Sequence, residues 1–167
     1  MEQYRYQLRW AVEEYNGPVA IRYPRGGNGT FTECSWDPET DWVCHRTGKD
    51  LTILTYGTMV NQALDAAMRL SADGLEIGVI RFMNLTDLNL KDLPECGHFL
   101  ILEEMNTGSG VSEALCAQLA GMFPGCRTEV LDLGREFVPH GNIRTLYHHY
   151  GLDGASIADH IKEVLGK

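Results

Sequence analysis

Basic residues are scarce in this chain. Among 167 residues there are 14 Lys and Arg against 23 Asp and Glu, a formal charge of -9. That balance excludes a broad nucleic-acid or anionic-membrane surface, since both partners require a net basic face. No window approaches the ~18 uninterrupted apolar residues of a membrane span. The amino terminus has no apolar signal-peptide core. Five cysteines stand at irregular spacing (Cys34, Cys44, Cys96, Cys116, Cys126) without a C-x-x-C pair. This argues against a disulfide framework or a zinc site, and a reducing cytoplasm is the expected home. G-x-S-x-G, H-E-x-x-H and the Gly-Lys-Ser/Thr of a phosphate loop are all missing, as are repeats and low-complexity tracts.

What the chain does have is rhythm. Residues 2–15 place Leu8, Ala11, Val12 and Tyr15 at helical spacing, and Asn16, Gly17 and Pro18 stop the helix. Residues 19–22 (VAIR) form a short β-prone run, ended by Pro24 and the glycines 26, 27 and 29. From there to Asp50 the chain is polar and aperiodic, and reads as a linker anchored by Trp36 or Trp42. A helix and one strand cannot bury both faces alone, so residues 1–27 read as the tail of a preceding domain and 28–49 as the linker.

Beyond Asp50, strands predicted at 51–56, 76–82, 98–102 and 127–133 alternate with helices at 59–72, around 88–93, from 109 or 110 to 122, at 143–150 and at 155–165. Asp153 or Gly154 caps the last helix. Such alternation implies right-handed crossovers, a largely parallel sheet and double coverage, hence a three-layer α/β domain over residues 50–167.

Five places could carry chemistry. Arg22 and Arg25 flank Tyr23-Pro24 ahead of Gly26-Gly27; their forked donors suit a phosphate or carboxylate, and the plainer reading is a solvated surface strand. The segment 106–111 joins a strand to a helix whose free N–H groups could take an anion; the plainer reading is a tight turn capped by Thr107 or Ser109. Glu103 and Glu104 end a strand, where ligands gather in open α/β sheets. They point to opposite faces, so one of them capping or salt-bridging a neighbouring loop is favoured over a paired role. His148 and His149, with His140 nearby, diverge too far on a helix to share a metal, and Cys34 with Cys44-His45 lacks a fourth ligand. These residues alone offer a scaffold without a self-contained active site.

Several strings occur together in one order: GPVAIRYPRG (17–26), LTILTYGT (51–58), Arg81-Phe82, Leu102-Glu103-Glu104, GSGV (108–111), Gly141 and YGLD (150–153). That order resembles the carboxyl-terminal end of the transketolase-like thiamine-diphosphate enzymes, closest to their 1-deoxy-D-xylulose-5-phosphate synthase branch. TYGT and the paired glutamates also suit transketolases and 2-oxoacid dehydrogenase β-subunits; a non-catalytic regulatory module of the same fold is a further alternative. The resemblance implies that residues 1–27 close a pyrimidine-binding domain and that 50–167 form a third domain with a mostly parallel five-stranded sheet that supports a homodimer. It implies that the parent condenses pyruvate with glyceraldehyde 3-phosphate on thiamine diphosphate and magnesium. It places the cofactor machinery in other domains, leaving this portion without cofactor, metal or catalytic residues and inactive by itself. Its partners would be the remaining domains or subunit of the parent. Arg25 aligns with a residue contacting the acceptor's phosphate, and Arg22 is the second choice.

Overall fold

The computed structural model describes residues 2–23 and 39–167; Arg25, Gly26, Gly27, Cys34 and Trp36 lie outside the described residues. The elements run α1 (Glu2–Glu13), β1 (Trp42–Arg46), β2 (Leu51–Tyr56), α2 (Val60–Ala72), β3 (Ile77–Phe82), β4 (His98–Leu102), α3 (Ser112–Met122), β5 (Arg127–Leu131), α4 (Ile143–His149) and α5 (Gly154–Leu165). A single 3-10 turn, Gly57–Met59, joins β2 to α2, and Gly57 takes the positive φ of 59° that favours glycine.

One sheet of order β1-β3-β2-β4-β5 carries the fold. β2 lies parallel to β3 and to β4, β4 lies parallel to β5, and only β1 runs antiparallel, beside β3. The three central strands are buried along their whole length, as coverage of both faces demands. Alternation divides their side chains cleanly. Leu51, Ile53, Ile77, Val79, Leu100 and Leu102 join α2 and α5 in one core. Leu54, Tyr56, Ile80, Phe82, Phe99 and Ile101 join Leu115 and Leu119 of α3 in the other. The α/β three-layer expectation and the five-stranded, mostly parallel sheet are both met.

Three local expectations are corrected. The run 19–22 is not a strand: residues 18–23 belong to no regular element, and no described strand pairs with them. A lone strand has nothing to satisfy its backbone. Within the stretch read as linker, residues 42–46 form β1, pairing Trp42 with Phe82, Val43 with Arg81 and Cys44 with Ile80 before a bulge. The segment around 88–93 is not helical. The Asn84 and Asn89 side chains accept from the backbone N–H groups of Thr86 and Lys91 (both 3.0 Å), and Asp92 takes a φ of 61°, so local turns displace the helix. Its leucines Leu90 and Leu93 are nevertheless buried under the sheet.

The packing of α5 on α2 is tight. The Asp153 side chain caps α5 by accepting from the Ser156 N–H at 2.8 Å, as its position predicts. The Gly154 N–H donates to Gln62 Oε1 on α2 at 2.9 Å.

Candidate functional site

Parallel strands put their carboxyl ends on one edge, so the ends of β2, β4 and β5 converge. Tyr56 closes β2 and Glu103 follows β4. Glu103 is fully buried, a costly place for a carboxylate unless it is hydrogen-bonded. Three donors meet it: Ser112 Oγ to Oε1 at 2.7 Å, and the Val111 N–H (3.0 Å) and Tyr56 hydroxyl (3.3 Å) to Oε2. Glu103 therefore ties β2, β4 and the first turn of α3 together. A methyl group on Gly110 would land on this carboxylate, so only glycine allows the approach.

The neighbouring acid faces the other way. Glu104 Oε2 accepts from the Tyr147 hydroxyl of α4 at 2.9 Å. Burial, reinforced by the Glu104 charge, pushes the Tyr147 phenol well above its ordinary range. Of the expected cap or salt bridge to a neighbouring loop, Glu103 supplies the capping contact by accepting from Val111 and Ser112 at the start of α3, whereas Glu104 is held by a hydroxyl rather than a salt bridge. The expected cap on α3 is corrected: neither Thr107 nor Ser109 supplies it. Thr107 Oγ1 donates to Asp132 Oδ1 at 3.0 Å, and the α3 donors go to Glu103 because the buried carboxylate already sits at the helix start.

Arg22 reaches this edge from the amino-terminal segment. Its guanidinium lies 5.8 Å from the Tyr56 ring centroid, within cation–π range. Its Nη1 stands 3.1 Å from Met105 Sδ, a soft, weak acceptor. The Tyr56 phenol is pushed up to about 12, first by burial and then by the Glu103 charge, with Arg22 pulling the other way. Arg22 itself remains exposed. Arg25, the first choice for an anion contact, lies outside the described residues.

The histidines do not converge. His148 Nδ1 meets Asp153 Oδ2 at 2.8 Å, and the His149 ring stands edge-on to Tyr150 with centroids 4.9 Å apart. Cys44 is exposed on β1, and burial lowers the pKa of His45. Among the described residues, no three His, Cys, Asp or Glu side chains are grouped as metal ligands.

Chemically, this edge can seat a cationic side chain and hold it in place. It does not suit a bound diphosphate: the two carboxylates at the strand ends are each engaged by hydroxyls of their own domain. Tyr56 and Met105 are the participants that sequence reasoning missed. The available signal was an aromatic at the end of a buried parallel strand, immediately before the turn glycine.

Residues 40–157 match the family described as "Transketolase, C-terminal domain". Among curated proteins, the chain is 34% identical over 169 residues to 1-deoxy-D-xylulose-5-phosphate synthase of Chlorobaculum tepidum, covering 97% of this chain and 27% of that protein. It is 35% identical over 158 residues to the enzyme of the same name from Thiobacillus denitrificans, covering 90% of this chain and 25% of that protein. The chain therefore spans about a quarter of the length of these relatives. Among solved structures, a split-gene transketolase in an inactive β4 tetramer superposes with a TM-score of 0.63 at 24% identity, over 75% of this chain and 42% of that one. A transketolase of Pichia stipitis, in complex with sedoheptulose 7-phosphate, gives 0.54 at 16% identity over 75% of this chain and 18% of that one. At these identities the structural likeness concerns the fold.

Proposed function

The chain belongs to the transketolase C-terminal domain family, and from that premise we propose that it is the carboxyl-terminal portion of a thiamine-diphosphate-dependent transferase that joins pyruvate to glyceraldehyde 3-phosphate. In this reading residues 1–27 close the preceding domain, residues 28–49 connect it to the sheet while contributing β1, and residues 50–167 complete the supporting domain. Arg25 takes the phosphate of the acceptor through charge-assisted hydrogen bonds. Arg22, which rests against Tyr56 and Met105, is the second candidate for that contact. The parent is a cytoplasmic homodimer, and its cofactor and magnesium are held by parts of the protein other than these residues. The 167-residue portion is inactive alone.

One observation carries the reading. Arg22 leaves the amino-terminal segment to rest on the carboxyl edge of the sheet, at Tyr56 and Met105. That contact brings Arg22 to the edge where open α/β sheets gather ligands. The engagement of both glutamates by hydroxyls of their own domain suits a domain that braces a site rather than performing acid–base chemistry.

The test is product analysis of the complete protein supplied with thiamine diphosphate and magnesium. The reading expects pyruvate and glyceraldehyde 3-phosphate to yield carbon dioxide and a five-carbon deoxyketose phosphate. Transfer of a two-carbon unit from a ketose donor, with pyruvate ignored, overturns it.

A further inference from the structure

We propose that Cys96 and Cys126 form a reversible thiol–disulfide site at the amino ends of β4 and β5, closed by an oxidant of the peroxide class. The site lies at the end of the strands opposite to the Arg22 contact and stands independently of the reading above.

The backbone brings the two residues together. β4 and β5 run parallel with His98 paired to Arg127, and the Arg127 N–H donates to the Gly97 carbonyl at 3.0 Å. Cys96 immediately precedes one partner of that hydrogen bond and Cys126 the other, so they stand at the mouths of two neighbouring strands. Cys126 is held in place by a tight turn. Its N–H donates to the Phe123 carbonyl at 3.0 Å, and Gly125 takes a φ of 91°, which glycine allows. Both cysteines pack with Phe99, Leu115 and Leu119 in one core cluster. Both also line one cleft of about 370 Å³, walled by Met122, Phe123 and Pro124. Glu95, Gly97 and Gly125 on its rim are exposed, so a small oxidant can enter.

The thiols are held lightly. Cys96 Sγ, in a residue 6% exposed, donates to the His98 carbonyl at 3.2 Å. Cys126 Sγ stands 3.8 Å from the Leu119 carbonyl and 3.9 Å from Thr128 Oγ1, weak contacts that a change of rotamer breaks. Exposure assigns the roles, because Cys126 is the less buried of the two. Its sulfur attacks hydrogen peroxide, the O–O bond breaks, and a sulfenic acid and water form. The Cys96 thiol then attacks the Cys126 sulfur: the S–S bond forms, the S–O bond breaks, and the hydroxyl leaves with the thiol proton as a second water. The two electrons given up by the thiol pair reduce the peroxide. Cys44 stands on β1, at the far edge of the sheet. Cys116 lies on α3, where burial, reinforced by the Glu103 charge, pushes its thiol up and away from the reactive thiolate. In the reducing compartment expected of this chain the Cys96–Cys126 bond is transient, reopened by exchange with a small thiol.

The test treats the complete protein with hydrogen peroxide, alkylates the remaining thiols and maps the peptides by mass spectrometry. An intramolecular Cys96–Cys126 linkage is expected, and dithiothreitol should reverse it. With dimedone present as a competing trap for sulfenic acid, the ratio of disulfide to adduct at Cys126 should fall about tenfold in urea, where the chain must first close the intervening loop. Cys96→Ser, which removes the resolving thiol, should raise the Cys126 adduct several-fold in the folded protein. The wild-type mapping decides the proposal even where the variant folds poorly. Absence of the linkage from the folded protein overturns it, as does a dominant linkage to any other cysteine. An equal ratio in folded and unfolded protein overturns it too, since the fold would then contribute nothing to the pairing.

Discussion

Gly110 runs so close to the Glu103 carboxylate that no side chain fits between them. Glu103 cannot yield easily, because each of its oxygens already accepts from α3 or Tyr56. Gly110→Ala should therefore destabilise the domain by about 1–3 kcal/mol through overpacking of a buried polar network. Gly121, inside α3 with open space around its Cβ position, supplies the contrast. Gly121→Ala should stabilise by about 0.5 kcal/mol through helix propensity. Denaturant titration of the two variants should move the midpoint in opposite directions; equal shifts would show that the Gly110 contact carries no weight.

His98 opens β4 in a buried position, and its Nε2 has no hydrogen-bond partner among the described residues. Burial lowers its pKa from the ordinary 6.5, with Glu129 opposing and Arg127 assisting. Between the two values the unfolded chain binds more protons than the folded one, so stability rises with pH across that window. The contribution is complete above pH 6.5 and declines as pH falls from 6.5 toward the folded value. Chemical denaturation across this range should show a shallower pH dependence for His98→Gln than for the wild type. Parallel curves would contradict the assignment.

Asp153 caps α5 and also meets His148. Burial raises its carboxyl pKa, but hydrogen bonds from Ser156 and His148, together with the His148 charge, outweigh burial and leave it below 3.8. A depressed carboxylate stabilises the fold above its unfolded value, and that stability is lost as pH falls through the folded one. Asp153→Ala should cost about 1 kcal/mol at neutral pH as a lost helix cap. The gap from wild type should narrow as the pH drops below 3.8. A gap independent of pH would mean that the cap acts without its charge.

The central strands were legible because burial on both faces writes them as apolar runs, such as Ile77–Phe82 and His98–Leu102. β1 was not: Trp-Val-Cys-His-Arg is a half-buried edge strand with one partner and a bulge, and its composition is that of a linker. The leucines from Leu85 to Leu93 mimic a helical period, yet Asn84 and Asn89 capture the backbone donors first. At the site, the divergence of Glu103 and Glu104 followed from the strand period. The aromatic at the end of β2 marked Tyr56, but its meeting with Arg22 could not be read from sequence, since it joins two segments separated by a stretch without pattern. Such contacts are set by how elements dock rather than by local propensity.

The central proposal is that Arg25 takes the acceptor's phosphate. Its most direct test compares kcat/KM for glyceraldehyde 3-phosphate and for glyceraldehyde in the complete protein carrying Arg25→Ala. Loss of a charged hydrogen-bond pair should lower the value for the phosphorylated acceptor roughly 10- to 100-fold and leave the other within about twofold. An identical change for both acceptors, or none for either, would contradict it.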